Sequence, residues 1–167
     1  QELNRTAEML GCTDTVFTNA HGYQDEGHHT TARDLAIITR AALSLESFRT
    51  IVGSPSHTMA ATDFHPARKI YNTNLLLQES DTHYYYPYAI GVKTGFHSQA
   101  GYTLVAAAEK NGVTMIAVAL YTGKYSRWAD VRRLLEYGFT QYKSVTPQEI
   151  YRKDPTTMQI SGFDLDD

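Results

Sequence analysis

The sequence lacks several features that would assign it to particular classes of protein. Cys12 is its one cysteine, so no disulfide can form within the chain, and either an oxidising or a reducing compartment is compatible. It has no basic cluster and a formal net charge of −3, which argues against a nucleic-acid partner. No run of about 18 apolar residues occurs, so no segment is expected to span a bilayer. The first residues also lack the charged and apolar regions of a signal peptide.

The composition that is present is that of a folded domain. Hydrophobic residues make up 42% and charged residues 20% of the 167 positions, which excludes extended disorder. This length permits one domain with a real core, or a large piece of a larger protein. Gln1 to Leu10 has helical spacing and ends at Gly11, but no capping residue precedes it. We take that as a first indication of a fragment.

Helical and extended patterns then alternate along the chain. Thr31 to Asp34 resembles a capping box at the start of a helix. The expected buried stripe of that helix is Leu35, Ile38, Ala42 and Leu45. Residues 56–71 predict strands or an extended excursion, and Asn72 to Leu77 predicts a short helical turn. Ser80 to Tyr88 predicts an exposed loop rich in tyrosine.

The clearest pattern lies in the second half of the chain. Tyr102 to Glu109 and Val113 to Tyr121 are apolar runs joined through Asn111-Gly112, and Asn-Gly between such runs is a strong hairpin signal. With a strand around Lys93, they predict three consecutive antiparallel strands. Ser126 is the expected N-cap of a helix lying across them. The apolar face of that helix is Trp128, Val131, Leu135 and Phe139. The predicted fold class is therefore α/β (α+β), an antiparallel sheet packed with helices.

Lys93-Thr94-Gly95 is the motif around which the sequence is organised. On a strand, alternation places Lys93 and Gly95 on one face and Thr94 on the other. Gly95 is expected to leave open space in which a ligand reaches the backbone. A lysine, a hydroxyl and an accessible backbone suit an anionic, peptide-like ligand laid along a strand edge. The tripeptide alone is more often an ordinary exposed turn, so its neighbourhood has to decide.

Further short motifs surround this tripeptide in a specific order. They are Leu10-Gly11, Thr15 to Gly22, Thr30 to Leu35, Asn72 to Leu76, Gly91 to Gly95, Ala100 to Tyr102, and Arg127 with Leu134 to Phe139. In this order and spacing, the chain resembles the serine-type D-Ala-D-Ala carboxypeptidases, low-molecular-weight penicillin-binding proteins of the bacterial cell wall. The resemblance implies the transpeptidase fold shared by beta-lactamases and D,D-peptidases, incomplete in this chain.

Two motifs of that superfamily are absent from the sequence. The full signature combines Ser-x-x-Lys, Ser-x-Asn and Lys-Thr-Gly, of which only the third occurs here. The resemblance therefore implies that residues 1–143 are the C-terminal portion of a catalytic domain. Residues 144–167 are then a linker or the start of a lost C-terminal domain. We expect the nucleophilic serine upstream, and the missing N-terminal portion or a swapped copy as the segment that completes the sheet.

The resemblance also implies a chemistry for the residues that are present. A serine attacks the D-Ala-D-Ala amide of a peptidoglycan stem peptide, and water then releases the acyl group. Lys93, Thr94 and Gly95 form the catalytic motif in this scheme. Lys93 supplies positive charge beside the serine, and Thr94 hydrogen-bonds the substrate carboxylate. Arg127 pairs with the same carboxylate through its planar fork.

The positions after Gly95 depart from the commoner pattern of the family. Relatives often carry Thr or His there, whereas this chain has Phe96-His97. The backbone N–H of Phe96 is still the expected oxyanion donor. A side-chain role at that position is lost, and whether His97 replaces it is left open. Both residues are counted with Arg127 among the expected substrate-binding residues.

The expected function is D-alanyl-D-alanine carboxypeptidase activity on the cell-wall side of the membrane. Its expected partners are stem peptides and beta-lactam antibiotics. No cofactor and no metal are expected. Attachment to a membrane is expected only through segments absent from this chain. The chain alone is expected to be inactive. Two alternatives stay open: a serine beta-lactamase or esterase of the same superfamily, and a non-catalytic module that binds wall peptide.

Other chemically suggestive residues have plainer interpretations. Five residues look at first like a metal site: His21, Asp25, Glu26, His28 and His29. Their spacing is loose and falls in a glycine-containing loop, so a structural turn is the better interpretation. Tyr84 to Tyr86 with Tyr88 fits a stacking platform less well than an aromatic surface loop. Cys12 is interpreted as buried filler rather than a reactive thiol.

Overall fold

The computed structural model of the protein describes residues 1–142, so the expected linker or further domain at residues 144–167 lies outside the described residues. The helices are α1 (Glu2–Met9), α2 (Ala32–Leu43), α3 (Glu46–Gly53) and α4 (Ser126–Gln141). The strands are β1 (Ser56–Met59), β2 (Arg68–Tyr71), β3 (Ala89–His97), β4 (Gly101–Lys110) and β5 (Val113–Thr122). A 3-10 turn spans Leu75–Leu77. The α+β class is confirmed.

A three-stranded antiparallel sheet with the order β3-β4-β5 forms the centre of the fold. The turn between β4 and β5 contains Asn111 and Gly112, both with positive φ, at 53° and 74°. Two central residues with positive φ define the type I′ turn that Asn-Gly favours. The predicted hairpin is therefore confirmed. Strands β1 and β2 pair separately as a two-stranded ribbon, which confirms the strands expected within residues 56–71.

Helices cover both faces of the central sheet. Helix α4 packs on β4 and β5, while α3 packs on β3 and α2 on β5 from the opposite side. Trp128, Val131 and Leu135 of α4 are buried, and Phe139 packs against the same cluster. This confirms the predicted apolar face. Among the helices of residues 1–142, none is both long enough and apolar enough to cross a lipid bilayer.

Helix α2 begins as predicted but buries a different stripe. The Thr31 side chain accepts a hydrogen bond from the Asp34 backbone N–H at 3.1 Å, which caps the first turn. Leu45, expected in the core, is 59% exposed, and Leu43 is buried instead. The expectation was wrong because α2 ends at Leu43 and Leu45 is already the N-cap of α3. Periodicity cannot be extended past the end of a helix.

Ser126 stabilises the turn before α4 rather than capping the helix. It is the first helical residue, and the N-cap is Tyr125, which makes no side-chain capping bond. The Ser126 hydroxyl accepts a hydrogen bond from the Gly123 backbone N–H at 3.2 Å. The predicted cap was therefore wrong by one position.

The tyrosine-rich segment is only partly exposed. Tyr86 is 2% exposed and belongs to the core cluster under α4, and its hydroxyl donates to Glu136 Oε1 at 2.7 Å. Burial, followed by the hydrogen bond to Glu136, raises the pKa of the Tyr86 phenol. The expectation of an exposed loop is therefore wrong at this position, because a distant glutamate supplies the polar partner that a buried phenol needs.

Candidate active site

The predicted catalytic tripeptide lies in the middle of the outermost strand of the sheet. Strand β3 spans Ala89–His97 and pairs with β4 on one side only. Its other edge pairs with no strand among residues 1–142. An unpaired strand edge leaves backbone N–H and C=O groups that an extended peptide can use.

The register confirms that successive residues of this strand face opposite sides of the sheet. Thr94 lies opposite Leu104, which belongs to the core under α4. Lys93 lies opposite Val105, which packs against the cluster under α2 and α3. Side chains at paired positions share a face. The α4 face thus receives Thr94 and Phe96, and the opposite face receives Lys93, Gly95 and His97.

Lys93 and Gly95 occupy close surroundings on their face. The Lys93 ammonium is exposed and donates to the backbone carbonyl of Thr94 at 2.7 Å. A Cβ added at Gly95 would collide with the side-chain oxygen of Thr103 on the neighbouring strand. The open space expected beside Gly95 is therefore filled by that hydroxyl group. Glycine is needed at this position because of the neighbouring strand.

Arg127, in the first turn of α4, is held by aromatic rings instead of by an acid. Its guanidinium carbon lies 4.9 Å from the centre of the Tyr102 ring and 4.5 Å from that of Trp128. Its Nε is buried without a hydrogen-bond partner among residues 1–142. The ion pairs formed within those residues use other side chains. Burial lowers the pKa of the Arg127 guanidinium, which nevertheless stays cationic near neutral pH.

Phe96 extends this aromatic arrangement toward the tripeptide. Its ring is 63% exposed and stacks on Tyr102 with the ring centres 4.2 Å apart. Tyr102 thus contacts both the residue after Gly95 and the arginine of the last helix. Sequence reasoning gave Tyr102 no role. The sequence predicted neighbouring strands around Lys93 and from Tyr102, but not the register that pairs Tyr102 with Phe96.

Thr94 contacts a second residue that received no role from the sequence. The hydroxyls of Thr73 and Thr94 are 2.6 Å apart. Thr73 lies in the Asn72-Thr73-Asn74 motif, which was noted only for its family resemblance. A contact between residues 21 positions apart depends on tertiary packing, so the pattern alone could not reveal it.

His97 lies on the other face, beside a cavity of about 420 Å³. The cavity is lined by His28, Tyr23, Thr103 and Tyr121 as well. The rings of His97 and Tyr23 meet edge to face, 5.8 Å between centres. His97 is therefore separated from the row formed by Phe96, Tyr102 and Arg127, and its expected place among the substrate-binding residues stays a prediction.

The histidine-containing loop is held by local hydrogen bonds. His28 Nδ1 accepts from the Thr18 backbone N–H at 3.2 Å, and His21 Nδ1 accepts from that of Tyr23 at 3.1 Å. In the part of the chain that the structure describes, no group of three or more His, Cys, Asp and Glu side chains is arranged to hold a metal ion. These contacts fit a structural turn.

Buried Asp34 of α2 fixes the start of this loop. Its Oδ2 accepts from the Thr15 hydroxyl and from the Asp14 backbone N–H, each at 2.8 Å. The Thr15 bond is the largest cause that holds the pKa of Asp34 below its usual value, and burial opposes it. Cys12, nearby, is partly buried, and burial raises the pKa of its thiol, as expected for an unreactive cysteine.

Comparison with known proteins relates this geometry to one family. The sequence profile described as Peptidase_S11, D-alanyl-D-alanine carboxypeptidase, matches residues 1–123. The chain is similar to D-alanyl-D-alanine carboxypeptidase DacF of Bacillus subtilis, with 31% identity over 164 residues, 96% of this chain and 39% of the relative. It is similar to a D-alanyl-D-alanine carboxypeptidase of Streptomyces sp. strain K15, with 34% identity over 143 residues, 83% of this chain and 47% of the relative.

Solved structures give the same relationship. The crystal structure of the Streptomyces K15 DD-transpeptidase superposes with a TM-score of 0.73 at 33% identity, covering 83% of this chain and 53% of that one. A D-alanyl-D-alanine carboxypeptidase from Mycobacterium tuberculosis gives a TM-score of 0.71 at 31% identity, covering 88% of this chain and 53% of that one. The chain spans about half the length of these relatives or less.

Proposed function

This chain belongs to the D-alanyl-D-alanine carboxypeptidase family, and we propose that it forms one wall of the active site of such an enzyme. The proposed reaction is acyl transfer from the terminal D-Ala-D-Ala of a peptidoglycan stem peptide to a serine, followed by hydrolysis. The serine and its lysine partner belong to a segment outside this chain. The contribution of residues 1–142 is to bind the substrate and stabilise its charges.

The observation that carries the proposal is an arginine without a partner on the face that Thr94 occupies. The stacked guanidinium of Arg127 keeps its charge but pairs with no acid among the described residues. Thr94 and Phe96 are two positions apart, about 7 Å along a strand, and Phe96 adjoins the Tyr102 ring beneath Arg127. A hydroxyl donor and a preorganised cation on one face suit the terminal carboxylate of a peptide.

The opposite face would serve the reacting amide. Lys93 there carries the charge that would sit beside the serine and its base, and its present bond to the Thr94 carbonyl is easily exchanged for a ligand because the ammonium is exposed. The backbone N–H of Phe96 is the proposed oxyanion donor, and removing one such donor costs roughly 3 to 4 kcal/mol of transition-state stabilisation. Because both faces meet at the free edge of β3, one extended substrate can contact both.

The proposed partners follow from this chemistry. They are stem peptides ending in D-Ala-D-Ala, and beta-lactams, whose strained amide and carboxylate imitate that end. The proposed location is outside the cytoplasm, on the cell-wall side of the membrane, where such substrates occur. A beta-lactamase or esterase of the same superfamily would use the same strand, and comparing turnover of penicillin with that of a D-Ala-D-Ala peptide separates the two. A non-catalytic wall-peptide module would turn over neither.

Replacement of Arg127 by alanine in the complete polypeptide tests the carboxylate role. A charged hydrogen bond contributes about 1.5 to 3 kcal/mol, so kcat/KM for a D-Ala-D-Ala peptide should fall roughly 10- to 100-fold. Turnover of a neutral thioester, which has no terminal carboxylate, should change much less. Arg133→Ala is the matched control, because Arg133 is exposed on the same helix.

Two outcomes of that experiment would contradict the proposal. Equal losses on the carboxylate and neutral substrates would show that Arg127 supports the fold rather than the ligand. A loss of similar size in Arg133→Ala would show that overall charge, rather than this position, determines binding.

A further inference from the structure

Thr73 contacts the catalytic tripeptide directly but has no assigned role. Its hydroxyl oxygen lies 2.6 Å from that of Thr94, at the short end of the range for O–H···O bonds. Thr73 is exposed, so the pair of hydroxyls is accessible from solvent. The contact joins the loop before the 3-10 turn to the face of β3 that carries Thr94.

The loop around Thr73 is fixed on both sides by asparagine side chains. The Asn72 amide donates to the carbonyls of Val52 and Ser54, at 3.2 and 3.1 Å, and its oxygen accepts from the Asn74 backbone N–H at 2.9 Å. Asn74 is fully buried, and its oxygen caps the 3-10 turn by accepting from the Leu76 N–H at 3.2 Å. Thr73 is therefore presented by a rigid frame, which makes its contact with Thr94 reproducible.

Hydroxyl chemistry gives this contact a direction once a carboxylate is bound. A threonine hydroxyl has one hydrogen to donate and can accept as well, whereas an ionised carboxylate only accepts. If Thr94 touches the carboxylate, its hydrogen must point to the ligand. The bond between the two threonines can then be donated only by Thr73.

We propose that Thr73 is a positioning residue, which donates its hydroxyl hydrogen to Thr94 Oγ1 and so leaves the Thr94 hydrogen directed at the terminal carboxylate of the substrate. This inference rests on the proposed function, because it assumes that Thr94 binds that carboxylate. Asn72-Thr73-Asn74 then acts as one unit, in which the asparagines hold the threonine that orients the binding hydroxyl.

The test is Thr73→Val in the complete polypeptide that carries this chain, because valine keeps the shape and removes the hydroxyl. We expect KM for a D-Ala-D-Ala peptide to rise about three- to tenfold, the range that one hydrogen bond supports, with kcat nearly unchanged. Thr73→Ser should restore the wild-type KM. Turnover of a neutral thioester should not change, and Thr58→Val, an exposed threonine on β1, serves as the control.

A double-mutant cycle decides whether Thr73 acts through Thr94. Thr94→Val should raise KM more than Thr73→Val does, and adding Thr73→Val to Thr94→Val should change KM less than about twofold. Additive effects, a wild-type KM in Thr73→Val, or an equal loss on the neutral thioester would overturn the inference. Failure of the proposed function would look different: the wild-type polypeptide would not release D-Ala, or Thr94→Val would leave KM unchanged.

Discussion

The two faces of the central sheet are packed to different degrees among the described residues. The face under α4 is covered by a cluster with nine buried residues, among them Trp128, Leu104 and Leu135. The cluster under α2 and α3 has three, Leu43, Val92 and Ala107. Because apolar burial contributes about 25 cal/mol per Å², the α4 face should hold more of the stability of this part of the chain.

This difference bears on the proposed site. Thr94, Phe96 and Arg127 are placed on the well-packed face, where rigid neighbours can hold a carboxylate receptor in position. The loop after α1 contains no buried residue between positions 13 and 30, and its start is held by two hydrogen bonds to Asp34. Substitutions on the α4 face should therefore change stability mainly through lost apolar burial. Substitutions in that loop, on the other face, should change it through lost hydrogen bonds, and by less.

The largest expected effect is loss of Trp128, the largest side chain in the α4 cluster. Trp128 is 2% exposed, and its ring lies 4.5 Å from the guanidinium carbon of Arg127. Trp128→Ala should lower the free energy of unfolding by about 3 to 5 kcal/mol, because it leaves a large cavity. Urea unfolding monitored by circular dichroism would measure the change.

Leu43→Ala provides the comparison on the opposite face. Leu43 lies in the smaller cluster, with fewer buried neighbours, so we expect a loss near 2 kcal/mol, the low end of the range for leucine truncation. Leu134→Ala is the control on α4, because Leu134 is 50% exposed and should shift stability by less than about 0.5 kcal/mol. A larger loss for Leu43→Ala than for Trp128→Ala would reverse the comparison.

Tyr86→Phe is a smaller change within the same α4 cluster. It keeps the buried ring and removes the hydroxyl that donates to Glu136 at 2.7 Å. Glu136 is partly exposed and also lies 3.7 Å from the Lys110 ammonium, so water and lysine can compensate in part. We therefore expect a loss of about 1 kcal/mol in the same urea experiment.

The control for this prediction is Tyr137→Phe, at an exposed position on the same helix. It should leave the unfolding midpoint unchanged. A loss for Tyr86→Phe as large as that for Trp128→Ala would mean that the hydrogen bond, rather than ring burial, determines the stability of this cluster.

Much of the fold could be predicted because its signals are local. Asn111-Gly112 specifies its own turn, and the spacing of Trp128, Val131 and Leu135 specifies the buried face of α4. Leu45 was wrongly placed in the core because periodicity does not show where a helix ends. Tyr86 was missed because its polar partner, Glu136, is 50 residues away.

In the candidate site, too, residues within sequence motifs could be assigned, whereas residues that act through long-range contacts could not. Lys93-Thr94-Gly95 and Arg127 were assigned from motifs whose order resembles one family, and their chemical roles remain predictions. Thr73 and Tyr102 were not assigned, because their contacts with Thr94 and Arg127 arise only when strand, loop and helix pack together. Residues that position other residues are the ones that sequence patterns reveal least.

Asp34→Asn should give the smallest change at neutral pH and the most distinctive change in acid. Asparagine keeps an oxygen that can accept from Thr15 and from the Asp14 N–H, so stability near pH 7 should fall little. The folded-state pKa of Asp34 lies below its ordinary value of 3.8. Its ionised form therefore stabilises the protein above about pH 4, and that contribution is lost as the pH falls through the folded-state pKa.

The measurement for Asp34 is urea unfolding from pH 7 down to pH 2. The stability of the wild type should decrease more steeply below about pH 4 than that of Asp34→Asn, so that their difference narrows in acid. Asp63→Asn, at an exposed position between β1 and β2, is the control. Its stability below about pH 4 should decrease as steeply as that of the wild type. Parallel curves for the wild type and Asp34→Asn would show that the carboxylate does not anchor the loop. The loop beside the sheet face under α2 and α3 would then be held in place by another interaction.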